Sequence, residues 1–161
     1  MKTLNKILES KIKVRFHDCD PFNHLNNSRY IDYIFMARED QLVNNYDLDI
    51  YKLARENQAG WVSAHTQISY IFPASLNEEI IIQTQLIAFS QRSLLLEASM
   101  WNTDKTILKA FMWAKLVHFN LQTQKSHSHS EELMKLFGQV VHPIPPELDF
   151  ESRIKYIKMK N

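Results

Sequence analysis

Glycine is almost missing from this chain: Gly60 and Gly138 are the only two among 161 residues. A phosphate-cradling loop needs several closely spaced glycines, so glycine-rich nucleotide sites are excluded. Cysteine is scarcer still. Cys19 stands alone, which rules out an internal disulfide framework and a cysteine-rich zinc module. An excess of one charge is also absent, because 19 Lys and Arg face 18 Asp and Glu for a net charge of +1. No global field is available to hold nucleic acid or an anionic membrane. Nor is there a run of about eighteen apolar residues that would suit a membrane span. Met1 to Lys11 mixes lysines with isolated Leu and Ile, a pattern of neither a signal peptide nor an anchor. The expectation is a cytoplasmic protein with no nucleic-acid partner and no membrane span.

What is present suits a packed core. The hydrophobic fraction is 45% and the charged fraction 23%, both ordinary for a globular chain. The length fits a single domain, 1–161, with about 139–161 as a C-terminal extension or tail. Its basic end, Lys155 to Lys160, reads as solvated rather than as a binding arm.

Alternation and β-branched runs predict five strands. They are Ile12 to Phe16, Gly60 to Phe72, Glu79 to Phe89, Leu94 to Trp101 and Thr106 to Leu121. Short breaks at Pro73 to Asn77, Ser90 to Arg92 and Asn102 to Lys105 suit an antiparallel meander. On the last strand Ala110 and Ala114 would let another element approach closely. Phe111 and Trp113 on its other side need cover, from a second subunit or from the chain's own tail. Asn27 to Tyr46 predicts a helix, begun by Asn26, Asn27 and Ser28. Apolar residues occupy most of its circumference, so the sheet is expected to curl around it. Glu131 to Phe137 predicts a short second helix.

The chemistry concentrates in His17-Asp-Cys-Asp-Pro-Phe-Asn-His-Leu-Asn-Asn27, between the first strand and the helix. Packing alone does not call for so many acids, imidazoles and amides together. A helix N-terminus offers unpaired N–H groups and partial positive charge. Beside it, a carboxylate can act on an electrophile whose oxygen those N–H groups hold. Cys19 lies between acids that disfavour its thiolate, so it reads as a small filler rather than a nucleophile.

The pattern Asp20-x-x-x-His24-x-Asn26-Asn27-x-x-Tyr30 resembles the opening signature of the hotdog-fold thioesterases, in the branch of 4-hydroxybenzoyl-CoA thioesterase. Ser69-Tyr70-x-x-Pro73 and Ile144-Pro-Pro-Glu-Leu148 are similar to later phrases of that family. The resemblance implies an α+β hotdog fold, an antiparallel five-stranded sheet wrapped around one long central helix. It also implies an acyl-CoA thioesterase that releases a free carboxylic acid and coenzyme A in fatty acid metabolism. No cofactor or metal is implied, since coenzyme A is part of the substrate. Asp20 becomes the catalytic carboxylate, as nucleophile or as general base on water. The backbone N–H near Asn27 would polarise the thioester oxygen, and His24 would hold the loop or assist the water. Tyr30, His65, Arg92 and Ser93 become candidate substrate-binding positions, Arg92 and Ser93 as a basic turn for coenzyme A phosphates. The family's habit of building sites between subunits implies a homodimer or homotetramer.

Each residue also has a structural alternative: Asp20 and Asp18 as turn or cap residues, His24 and His65 as packed histidines, Arg92 as a solvated turn. Phe22 occupies a place where plant acyl-ACP thioesterases carry a functional asparagine, which counts against the acyl-ACP alternative. A hydratase phrase of the same fold fits poorly in spacing. A non-catalytic acyl-thioester binding module and a metal-dependent hydrolase using His17, Asp18, Asp20, His24, His127 and His129 remain alternatives.

Overall fold

A computed structural model describes residues 3–161. Among them the chain runs β1 (Ile7–Lys13), α1 (Tyr30–Tyr46), α2 (Ile50–Asn57), β2 (Ala59–Tyr70), β3 (Glu79–Phe89), β4 (Ser93–Asn102), β5 (Leu108–Asn120), β6 (Lys125–Ser126), α3 (Glu131–Val140) and α4 (Phe150–Lys160). All pairings are antiparallel, in the order β1-β3-β4-β5-β2, with the short β6 on β5. The sheet wraps α1, as expected of an α+β hotdog fold.

Scarcity of glycine shows in the turns. Left-handed backbone, which glycine usually supplies, is adopted by Asn23, Asp47, Gln58, Asn77, Lys105 and Gln124 instead. Asn and Asp tolerate that region better than most residues. Asp47 ends α1 this way, its N–H reaching the Leu42 and Val43 carbonyls, which satisfies acceptors that a helix end leaves open.

The inner core lies between α1 and the concave face of the sheet. Tyr30, Tyr33, Ile34 and Ala37 pack on Ile80, Ile82, Met100 and Met112, and Ala110 and Ala114 are fully buried where the helix comes close. Burying one large apolar side chain contributes about 1.5–3 kcal/mol. Only one side of α1 is covered within the chain, however. Met36 and Val43 remain half exposed, so the all-round burial expected from sequence is not achieved by one chain alone.

Several expectations need correction. The first strand is Ile7–Lys13, not Ile12 to Phe16. It forms a sheet edge, where charged residues alternate with Leu8, Ser10 and Ile12, and the charges hid the pattern. Strand β2 does not continue a meander into β3. It occupies the opposite edge beside β5, and Pro73 to Asn77 is a crossover strap. Its alternation is also interrupted, because Ala64 is an extra residue between the pairs Ser63–Leu116 and His65–Lys115. That bulge puts Trp61 and Ser63 on the same inner face as Thr66 and Ile68. At the start of β5 a second irregularity displaces Lys109, so Leu108 joins the outer face with Phe111.

The outer face is covered by the chain itself. Phe150 and Ile154 of α4 pack on Ile81, Trp101, Leu108 and Phe111, with Trp113 alongside. The tail is therefore half solvated: Lys155, Lys158 and Lys160 are exposed, while the opposite side of the same helix closes the sheet. Arg153 anchors it, donating Nε and Nη2 to the Glu97 carboxylate at 2.8–3.2 Å in a buried pair. Helix α2 had no expected counterpart. Asp49 caps it through the N–H groups of Tyr51 and Lys52.

Candidate active site

The segment Asp18 to Asn26 is a miniature hairpin set at the start of α1. Cys19 and Leu25 pair as an isolated antiparallel bridge. The Asn26 N–H donates to the Asp18 carbonyl at 2.9 Å and the Asp20 N–H to the His24 carbonyl at 2.8 Å. Asp20 and His24 thus face each other at the base of a turn through Pro21, Phe22 and Asn23. Proline fixes the first turn residue, and Asn23 takes the left-handed one at φ 61°.

The Asp20 carboxylate is oriented by its own loop. Its Oδ1 accepts the N–H groups of Phe22 at 2.9 Å and His24 at 3.1 Å. Its Oδ2 receives no hydrogen bond from the described residues, leaving that oxygen for a ligand. Asp18, two residues away, is occupied differently. Its Oδ2 accepts the Tyr33 hydroxyl at 2.6 Å and lies 3.4 Å from His17 Nε2, while its Oδ1 is 3.7 Å from Arg29 Nε. Burial, then the bond to Asp18, pushes the Tyr33 hydroxyl up to about 12, so it donates throughout the ordinary pH range. Cys19 donates its thiol to the Arg15 carbonyl at 3.3 Å. Burial, with Asp20 and Asp18 adding to it, pushes that thiol up, away from thiolate chemistry.

The helix start is prepared in two steps. Asn26 caps a short tight turn, Asn27–Arg29, through its side chain on the Ser28 N–H at 3.0 Å, and its carbonyl takes the Arg29 N–H at 2.8 Å. The Asn27 N–H is left without a partner among the described residues, as expected of the first donor of a helix. The Asn27 carbonyl accepts the Tyr70 hydroxyl at 3.1 Å. Tyr70 also meets the Tyr30 ring edge-on, centroids 5.1 Å apart. Tyr30 itself is buried, its hydroxyl accepting the Ala74 N–H at 3.2 Å.

The strap completes the wall. Leu25 N–H donates to the Ala74 carbonyl at 2.7 Å, Leu76 N–H to the Asn23 carbonyl at 2.8 Å, and His24 bridges Ser75. Lys109 fastens the strap from below, its Nζ 3.0 Å from the Pro73 carbonyl and 2.8 Å from Glu78. Tyr33, Tyr70, Glu78 and Lys109 were not singled out as functional from sequence. The only signal was that Tyr70 belongs to the quoted Ser-Tyr-x-x-Pro phrase.

The remaining candidates lie elsewhere in the chain. His65 is exposed beside the β2 bulge, in register with Lys115. Arg92 lies in the β3–β4 turn and Ser93 opens β4; Arg92 Nη1 reaches Ser126 Oγ at 3.1 Å and Ser93 Oγ meets Ser90 Oγ at 2.7 Å. Ser93 pairs with Val117, whereas Tyr70, next to the Asp20 hairpin, pairs with Ala110. Seven residue steps along β5 separate the two positions, roughly 23 Å at about 3.3 Å per residue. Within one chain the turn and the loop are at opposite ends of the sheet. Among the described residues no three His, Cys, Asp or Glu side chains gather at metal-binding distance. His129 instead stacks on Trp61, whose indole N–H donates to His129 Nε2 at 3.0 Å, and His118 lies tilted against the same ring.

A curled antiparallel sheet on one long helix, with a carboxylate hairpin at the helix start, defines the class. Residues 14–149 match the model of the thioesterase-like superfamily, and the chain belongs to that family of thioester hydrolases. The matched region ends at Asp149, the residue that caps α4. Over 134 residues the chain is 28% identical to the long-chain acyl-CoA thioesterase FadM of Escherichia coli (strain K12), covering 83% of this chain and 99% of that protein. It is similar in structure to the probable thioesterase YbaW of Escherichia coli, with 27% identity and a TM-score of 0.71 over 84% of this chain and 99% of that one. A Staphylococcus aureus protein solved in complex with CoA shares the fold at a TM-score of 0.80 and 13% identity, over 95% of each chain.

Proposed function

We propose that the protein hydrolyses acyl-CoA thioesters in the cytoplasm, with Asp20 as the catalytic carboxylate. The observation that carries this reading is the Asp20 hairpin at the start of α1. One carboxylate oxygen is fixed by two N–H groups, the other is free, and the helix offers an unpartnered N–H at Asn27. The name of the 28% identical relative supports a fatty acyl-CoA substrate.

In the reaction the thioester oxygen accepts the Asn27 N–H, aided by the positive end of α1. As a general base, Asp20 takes a proton from water while the water oxygen bonds to the carbonyl carbon. The tetrahedral intermediate then collapses, the C–S bond breaks, and the coenzyme A thiolate leaves and is protonated. As a nucleophile, Asp20 would instead bond to the carbonyl carbon and expel the thiolate. Water would then cleave the resulting anhydride. His24, facing Asp20 across the hairpin, holds the loop or orients the water. Neither route requires a metal.

The same reading includes a homodimer through the β2 edge. That edge is long and exposed, and Val62, Tyr70, Phe72, Met36 and Val43 leave apolar surface near it. An unpaired edge is a template for another strand, and an isologous pair would complete the enclosure of α1. Two β2 strands running antiparallel would lay the Arg92 end of one sheet beside the Asp20 end of the other. Arg92 and Ser93 would then reach coenzyme A phosphates at the neighbouring site. With α4 on the outer face, Phe111 and Trp113 no longer call for a further subunit.

Thiol release from short, long and aromatic acyl-CoA substrates, with and without a chelator, tests the activity. Turnover of at least one class that persists with the chelator is expected. Tight binding without any turnover would favour the non-catalytic binding module. Light scattering at micromolar concentration tests assembly, and a monomer would contradict the dimer.

A further inference from the structure

A cavity lies away from the chain's own Asp20 hairpin, between the C-terminal half of α1, the inner face of the sheet and α3. Its volume is about 370 Å³, within the range of small-molecule sites. Phe35 and Leu42 of α1, Leu96 and Leu116 of the sheet and Phe137 of α3 form apolar walls. Arg38 lines the same space. It lies about three helical turns beyond Asn27, roughly 16 Å along the axis at about 1.5 Å per residue. Buried Tyr30, Tyr33, Ile34 and Ala37 separate the two regions within the chain.

Arg38 is a cation without a counter-ion. Its Nη1 donates to Thr84 Oγ1 at 3.0 Å, and it makes no ion pair with a carboxylate of the described residues. Glu39, the acid that lines the same cavity, accepts the Tyr51 hydroxyl at 2.7 Å and makes no ion pair with Arg38. Thr84 is held in turn, donating to Gln41 Oε1, while Gln41 Nε2 reaches Ser10 Oγ and the Ile82 carbonyl. The guanidinium is therefore fixed in place with donors left over. Burial lowers it to about 10, so it stays charged at neutral pH. Arg38 is half-buried and keeps an unpaired charge at the cavity wall, and a guanidinium matches a carboxylate with two parallel hydrogen bonds.

We propose that this cavity binds an alkyl carboxylate, its carboxylate on Arg38 and its chain along the Leu and Phe walls. The carboxylate has two possible sources, a free fatty acid or the carboxylated far end of an acyl-CoA. The first source as a product, and the second altogether, rest on the proposed hydrolysis; the site itself does not.

Titration calorimetry of the full chain with dodecanoate and with dodecanol tests the site. Dodecanoate is expected to bind at least roughly tenfold more tightly, the scale of a charged hydrogen bond. Arg38→Met should remove that preference and Arg38→Lys should restore part of it. Leu116→Trp, which fills the cavity and keeps Arg38, should abolish dodecanoate binding. Equal binding of acid and alcohol by the unaltered protein overturns the proposal, as does undiminished dodecanoate binding in a folded Arg38→Met or Leu116→Trp protein. Kinetics with dodecanedioyl-CoA and dodecanoyl-CoA separate the sources. A KM that rises in Arg38→Met only for the dioyl substrate assigns the far end of an acyl-CoA, whereas unchanged KM values for both assign the free acid. A protein that binds dodecanoate but hydrolyses no thioester would defeat the function proposed above and leave this site standing.

Discussion

The Tyr33 hydroxyl donates to Asp18 Oδ2 at 2.6 Å, and this bond separates the roles of two acids that are only two residues apart. Asp18 ties the hairpin to the first turn of α1, while Asp20 keeps one oxygen free. The Arg15 N–H closes the same link, donating to the Tyr33 oxygen at 3.1 Å. A stable helix start is therefore built from Asp18, and the open carboxylate is supported by it.

Tyr33→Phe should lower stability by about 1.5–3 kcal/mol, the contribution of a hydrogen bond to a charged group. Turnover at saturating substrate should stay near that of the unaltered protein, because Tyr33 touches Asp18 and not Asp20. Urea unfolding and steady-state kinetics on one preparation check both. A large fall in turnover without loss of stability would contradict the division of labour.

Arg153→Ala should cost about 3–5 kcal/mol, because it strands the buried Glu97 charge. Glu97 also accepts the Trp113 indole N–H at 2.9 Å and the Gln85 amide at 2.6 Å. Adding Glu97→Gln should recover part of the loss, since a neutral amide needs no counter-ion and still accepts from Trp113. Urea midpoints with an unchanged m value would report it. An Arg153→Ala midpoint near that of the unaltered protein would show that α4 is not anchored by this pair.

Acid should weaken the fold through the histidines packed against Trp61. Burial lowers both His118 and His129 below the ordinary 6.5, so the unfolded chain takes up these protons more readily. Their contribution is full above about 6.5 and is lost as pH falls through that value toward the lowered folded pKa. His129 also accepts the Trp61 N–H through Nε2, and protonation ends that bond. Melting temperature from pH 8 to 5 should fall, and His129→Gln should flatten the slope. An identical slope in the variant would remove His129 from the account.

Local pattern made much of this fold legible. Strand β3 runs over Glu79–Phe89 as its isoleucine run suggests, and the paired faces of β5 foretold both the close approach of α1 and an outer face in need of cover. Long-range choices were not legible. Nothing local to Gly60 to Phe72 says that this strand crosses to β5, and Ala64 reverses its faces without a glycine to mark it. Arg153 and Glu97 are 56 residues apart, so nothing local to the C-terminal extension marked the buried pair that anchors it. At the site, residue types marked the segment as a functional loop, and the family resemblance carried by Asp20, His24, Asn26, Asn27 and Tyr30 set its register against the helix. The hairpin form of that loop was not foreseen. Tyr33 was counted only as an apolar helix residue, because its hydroxyl partner lies 15 positions earlier.

The most direct test is the turnover of Asp20→Asn beside Asp18→Asn. Asparagine keeps the size of Asp20 and the carbonyl that can accept the Phe22 and His24 N–H groups, but it removes the negative charge that either route needs. Thioester hydrolysis should fall by at least roughly 10²-fold, with acyl-CoA binding and melting temperature retained. Asp18→Asn should lower stability and spare most of the rate. Near-normal turnover in Asp20→Asn, with the rate abolished in Asp18→Asn, would contradict the assignment and move the catalytic carboxylate to Asp18.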